Sequence, residues 1–166
     1  MKVTVVGLGL IGGSLAIDLR KTGLATELVG VDASAAHGER AVELRIVDRI
    51  ADETEAFASA DLVIFAIPVN LLAGKLPQVL DSIGKHAVVM DVGSTKAQIC
   101  KTVSNHPKRA QFVAAHPIAG TENSGPDAAF SGLFTGKTTI ICEHQRSSAE
   151  ALALVNKVFE TLRMKA

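Results

Sequence analysis

Val3-Thr4-Val5-Val6-Gly7-Leu8-Gly9-Leu10-Ile11-Gly12-Gly13-Ser14 is the stretch on which the fold turns. Its β-branched opening predicts a buried strand over Val3 to Val6, and Ile11 to Lys21 predicts a helix after the glycine turn. The glycines between them have the spacing G-x-G-x-x-G. In a strand–loop–helix context, Gly7 permits a tight turn, Gly9 lets the backbone approach a pyrophosphate, and Gly12 lets helix and strand pack closely. A helix opening at Leu10 and Ile11 turns unpaired N–H groups and a positive dipole end toward such an anion. An ordinary glycine-rich turn uses the same residues, so the rest of the chain must decide between them.

Outward from this loop, short apolar runs alternate with longer helical segments. Strands are predicted at Glu27 to Val31, Leu62 to Ala66 (LVIFA), Val88 to Val92 (VVMDV), Phe112 to Ala115 and Thr138 to Cys142. Helices are predicted at Ala35 to Leu44, Leu71 to Ile83, Lys96 to Ser104 and Ser148 to Leu162. Continuous apolar strands between helices are the mark of a parallel sheet covered on both faces. The fold expected over residues 1–166 is therefore one α/β domain, a doubly wound and mostly parallel sheet. The last helix is expected to leave an apolar surface around Val158 and Leu162.

In such a sheet the carboxyl ends of the strands share one edge, and ligands bind there. After the glycine loop, the second strand delivers Asp32, 20 positions beyond Gly12, the distance at which an acid accepts hydrogen bonds from an adenosine ribose. With no cation at Ala33 or Ser34, Asp32 favours NAD over NADP. A turn or helix-cap role is the alternative for Asp32, although Ser34 is the better cap. The next strands deliver Ile67 and Pro68, then Gly93, Ser94, Thr95 and Lys96, then His116 with the loop Pro117 to Gly125. The cofactor contacts expected are Gly7, Gly9, Leu10, Ile11, Gly12, Asp32, Ser34, Ile67, Pro68 and Gly93. His116 ends a buried strand at this edge, where an imidazole can take a proton near neutral pH. A histidine bonded to a backbone carbonyl would occupy the same position. His37, His86, His106 and His144 sit in polar surroundings and read as exposed, and the charged cluster Asp48, Arg49, Asp52 and Glu53 reads as solvated surface.

Composition removes other classes. Seventeen basic and seventeen acidic residues cancel, and Trp and Tyr are absent, so nothing favours nucleic acid. The apolar stretch Leu62 to Ala73 is too short to span a membrane and carries Pro68 and Asn70. Four glycines from Gly7 to Gly13 disqualify the N-terminus as a signal peptide. Cys100 and Cys142 belong to no metal-ligand cluster and read as buried thiols of a reducing, cytoplasmic compartment; no metal is expected.

Taken in order, GLGLIGGS, VGVD, FAIPV, DVGSTK and HPIAGTENSGP resemble the prephenate/arogenate dehydrogenases of tyrosine biosynthesis, from Val3 to the last helix. His116 to Gly120, continuing to Ser124, is the most specific of these stretches. The resemblance implies a Rossmann-type domain that binds NAD. It implies that His116 takes the proton of the substrate's ring hydroxyl as hydride leaves for nicotinamide, with Ser94 near that hydroxyl. It implies that Thr121, Glu122 and Ser124 shape the substrate entrance. The reaction implied is oxidative decarboxylation of prephenate to 4-hydroxyphenylpyruvate, or of arogenate to tyrosine. It further implies a homodimer, and a further strand and helical domain beyond Ala166 that carry cations for the substrate's carboxylates. Arg20, Arg109 and Arg146 match no such anchor. A β-hydroxyacid-type dehydrogenase shares the glycine fingerprint but lacks the His116 loop. A non-catalytic NAD-sensing module has no use for His116 and Ser94 together.

Overall fold

Side chains alternate between two cores along each central strand, and that alternation explains why the strands lack a polar face. In a computed structural model, which describes residues 1–165, the strands are β1 (Lys2–Val6), β2 (Glu27–Val31), β3 (Arg49–Ile50), β4 (Leu62–Phe65), β5 (Val88–Asp91), β6 (Phe112–Pro117) and β7 (Thr139–Cys142). The helices are α1 (Leu10–Lys21), α2 (Ala35–Glu43), α3 (Glu53–Ala58), α4 (Val69–Ser82), α5 (Ala97–Thr102) and α6 (Ala149–Thr161). Leu62 and Ile64 of β4 face a core built with Leu15, Leu19, Val155 and Phe159 of α1 and α6. Val63 and Phe65 face the other, with Phe57, Leu76, Leu80 and Ile99 of α3, α4 and α5. Burial on both faces demands apolar residues at every position.

The sheet order is β3-β2-β1-β4-β5-β6-β7. Pairings from β3 to β6 are parallel, and β7 returns antiparallel to β6. The chain leaves β1 toward β2 and comes back to β4 on its other side. A crevice therefore opens above the carboxyl ends of β1 and β4, where the winding reverses.

Four sequence expectations need correction. β6 extends through Pro117, so His116 lies inside the strand instead of following it. The charged segment from Asp48 to Glu53 stays at the surface as expected, but it forms β3 and opens α3 where no element was expected, with Asp52 capping α3 by accepting the Glu55 N–H at 3.0 Å. His106 is half-buried, its ring held by the Lys108 N–H and by Asp81 at 3.2 Å. Val158 and Leu162 are not an exposed patch: they are 0% and 3% exposed, because α6 turns its apolar stripe onto β5 and β6. Beyond α6, the Lys165 N–H bonds the Lys137 carbonyl and the Lys165 carbonyl receives the Thr139 N–H, both at 2.8 Å, so the chain there runs parallel to the edge of β7.

Candidate active site

The glycine loop is shaped by contacts that leave no room for side chains. Gly7 has φ +91°, and a Cβ there would lie 2.5 Å from the Ala66 carbonyl oxygen. A Cβ on Gly12 would lie 1.9 Å from the Gly7 carbonyl oxygen, so Gly12 serves helix–strand packing. Gly9 caps α1 without a side chain, and a Cβ there would meet only the Gly125 nitrogen, at 3.9 Å. The first amides of α1 have no intrahelical acceptor and no side-chain cap, as an anion cradle requires. The Leu10 side chain is buried in the core, leaving its backbone for any ligand contact.

Asp32 sits beneath this loop. Its Oδ2 accepts the Leu8 N–H at 2.8 Å and its Oδ1 the Ser34 N–H at 2.9 Å, while His37 Nδ1 lies 3.7 Å away. Asp32 is thus also a turn residue that holds the loop, and each oxygen keeps lone-pair capacity for a ribose. Ser34 caps α2 by accepting the His37 N–H. A cleft of about 640 Å³ is lined by Gly7, Gly9, Asp32, Ile67 and Pro68, with Glu53 and Lys75 also on its wall. A smaller hollow of about 160 Å³, lined by Ile11, Ile67 and Gly93, shares Ala66 and Ile67 with it and carries the crevice on to the end of β5.

At that end lies a buried ion pair to which sequence reasoning assigned no role. Asp91 is fully buried, and its Oδ2 accepts from the Lys96 ammonium and, at 3.0 Å, from the Gly93 N–H. Its Oδ1 is buried without a partner. Burial pushes the Asp91 carboxyl up to about 6 despite the adjacent ammonium, and burial also draws Lys96 below the ordinary lysine value. His116 is half-buried on the neighbouring strand, opposite Ile140 of β7. Partial burial, and then the Lys96 charge, hold its imidazole below the usual histidine value. Both influences favour the neutral imidazole, the form that can accept a proton. Ser94 is exposed in the turn that leaves β5.

Past β6, Thr121, Glu122 and Ser124 are exposed. Thr121 accepts the Asn123 N–H at 3.2 Å, and Thr121 and Ser124 line a hollow of about 490 Å³ with Asp127 and Phe130. Glu122 lines none of these three cavities. The segment from Phe130 to Gly132 is pinned to α1. Fully buried Ser14 accepts the Phe130 N–H at 3.0 Å, and Asp18 accepts from the Ser131 hydroxyl at 2.6 Å and from the Gly132 N–H at 3.1 Å. The polar pair Ser14 and Asp18, one turn apart inside an apolar helix, was the available sequence signal. Of the arginines left without a role, Arg20 pairs with Asp48, and Arg146 bonds the Ser104 carbonyl. Arg109 is buried between Glu143 and the Phe112 ring.

Residues 15–166 match the family model for the nucleotide-binding domain of prephenate dehydrogenase. The chain belongs to the prephenate dehydrogenase family. That match begins after the glycine loop, so membership does not lean on the motif shared with every dinucleotide enzyme. Among relatives, the cyclohexadienyl dehydrogenase of Zymomonas mobilis is 30% identical over 161 residues, covering 96% of this chain and 55% of that protein. The prephenate dehydrogenase of Bacillus subtilis is 34% identical, covering 92% of this chain and 42% of that protein. The chain spans about half the length of these curated relatives. Among solved structures, Synechocystis arogenate dehydrogenase superposes with a TM-score of 0.89 at 34% identity, covering 99% of this chain and 58% of that one. Prephenate dehydrogenase from Aquifex aeolicus, in complex with hydroxyphenyl propionate and NAD+, gives 0.87 at 29% identity, covering 99% and 58%.

Proposed function

We propose that this chain is the NAD-binding half of a prephenate or arogenate dehydrogenase and supplies the proton acceptor of the reaction through His116. The observation that carries the proposal is convergence at one sheet edge. The Asp32 cleft and an imidazole held neutral by its surroundings occupy the same rim, two to four strands apart. The open cradle at Gly9 and the free amides of α1 fit a pyrophosphate, and the lone pairs left on Asp32 fit both hydroxyls of an adenosine ribose. Ile11, Ile67 and Gly93 line the way to the nicotinamide end, and bound nicotinamide supplies the hydride acceptor.

His116 then takes the proton of a ring hydroxyl, with Ser94 oriented to that oxygen. Thr121, Glu122 and Ser124 frame the approach. A neutral imidazole accepts without first losing a proton to water, and partial burial, with the Lys96 charge, favours that form. A sensing module needs Asp32 but gains nothing from a tuned imidazole at the far end of the crevice.

The test is calorimetry with NAD and NADP, followed by an assay for reduced nicotinamide with prephenate and with arogenate. Preferential NAD binding, with reduction on one of the two ring acids, is the expected result. NAD binding with no reduction by either acid, in a protein of its relatives' full length, would support the sensor instead.

A further inference from the structure

Glu53 opens α3 and Lys75 lies midway along α4, and the two are ion-paired with one another. Both line the large cleft that also contains Asp32, and both stay about half exposed, so each keeps hydrogen-bonding capacity beyond the pair. The neighbouring walls, from Val31, Ala33, Ile67, Pro68 and the 54% exposed Leu71, are apolar. A planar ring fits between such walls, and the ion pair, with the Asp52 carboxylate on the same lining, offers polar groups for its edge to meet.

Resting on the NAD assignment above, we infer that Glu53 and Lys75 read the edge of the adenine ring and make this cleft selective for adenine over hypoxanthine. The chemistry is one of complementary order. Adenine presents an amino donor at C6 beside an acceptor at N1. A carboxylate is an acceptor only and an ammonium a donor only. Glu53 accepts from the amino group while Lys75 donates to N1. Hypoxanthine reverses both positions, with a carbonyl acceptor at C6 and an N–H donor at N1. Each protein group then faces its own kind, and a site built to pair polar groups rejects a ligand that leaves them unpaired. Because both side chains remain partly in water, the discrimination is modest.

The experiment is calorimetry of this chain with NAD and with nicotinamide hypoxanthine dinucleotide, which differ only at that edge. The expected result is about tenfold tighter binding of NAD. Lys75→Met should reduce the ratio toward one. The exchange Glu53→Lys with Lys75→Glu keeps an ion pair between α3 and α4 and reverses its order, so it should favour the hypoxanthine dinucleotide. Equal dissociation constants in the unmutated chain would overturn the inference, as would an exchanged pair that still prefers NAD. Failure of both dinucleotides to bind would instead overturn the cofactor assignment on which it rests.

Discussion

The two ends of the crevice are held in opposite ways. At the glycine end, Gly7 and Gly12 are seated against backbone within van der Waals limits, and both Asp32 oxygens already receive backbone donors. At the His116 end, Ser94 and Thr121 to Ser124 stand in solvent, and the buried Asp91–Lys96 pair behind them leaves one carboxylate oxygen unpaired. The difference teaches what each end needs. On the proposed function, the cofactor is met by a finished surface. On the same reading, the His116 end presents its polar groups to solvent, backed by the stored electrostatics of a buried ion pair.

The largest effect that would sharpen this contrast is chemical. In a form of the protein that turns over, His116→Asn should lower kcat by about two to four orders of magnitude while leaving the NAD dissociation constant unchanged. Because the base must be neutral, kcat/KM should rise with pH through a pKa below the ordinary histidine value, and Lys96→Met should move that limb upward by removing the adjacent charge. A variant that loses NAD binding together with turnover would erase the distinction between the ends.

Next comes the finished end. Gly12→Val drives a branched side chain into the Gly7 carbonyl, which has no rotamer to yield. It should cost at least about 3 kcal/mol in urea unfolding and abolish NAD binding. Unchanged stability would show that the loop has slack.

The stored electrostatics should register more weakly. Asp91→Asn strands the Lys96 ammonium in a largely buried place and should destabilise the fold by about 2 kcal/mol. Adding Lys96→Met should recover most of that loss, because the orphaned charge is gone. Full additivity in that double-mutant cycle would mean the two groups do not act as a pair.

The smallest effect separates two roles at one residue. Asp32→Ala should narrow an NAD-over-NADP preference of about tenfold and also loosen the loop, since the Leu8 and Ser34 N–H groups lose their acceptor. Asp32→Asn keeps an acceptor for Leu8 and removes the charge. If it preserves stability yet narrows the preference, ribose selection and loop support are distinct functions.

The parallel sheet and its carboxyl edge were legible because doubly buried strands cannot hide their composition: LVIF and VVMD admit almost no polar residue. β3 was not legible, since two residues carry no periodicity, and α3 was missed although Asp52 stands three positions before Glu55 in a capping arrangement. Charges there read as surface because they are partly exposed, yet Glu53 lines the cleft. The reverse error occurred at Val158 and Leu162, whose partners come from segments remote in sequence, including Leu15, Leu19 and Phe134. Asp91 lies in a strand that reads as buried throughout, yet its ion pair was not legible, because a charged residue in an apolar strand reveals its partner only once Lys96 is seen to fold back over it.

Ser14 and Asp18 find their hydrogen-bond partners at Phe130 to Gly132, more than a hundred residues downstream. During synthesis the ribosome therefore releases the cofactor helix long before it releases the residues that satisfy it. Until then Asp18 must stay hydrated, and α1 cannot settle its polar stripe into the final packing. Closure of that gap is a late, long-range event in the birth of the chain.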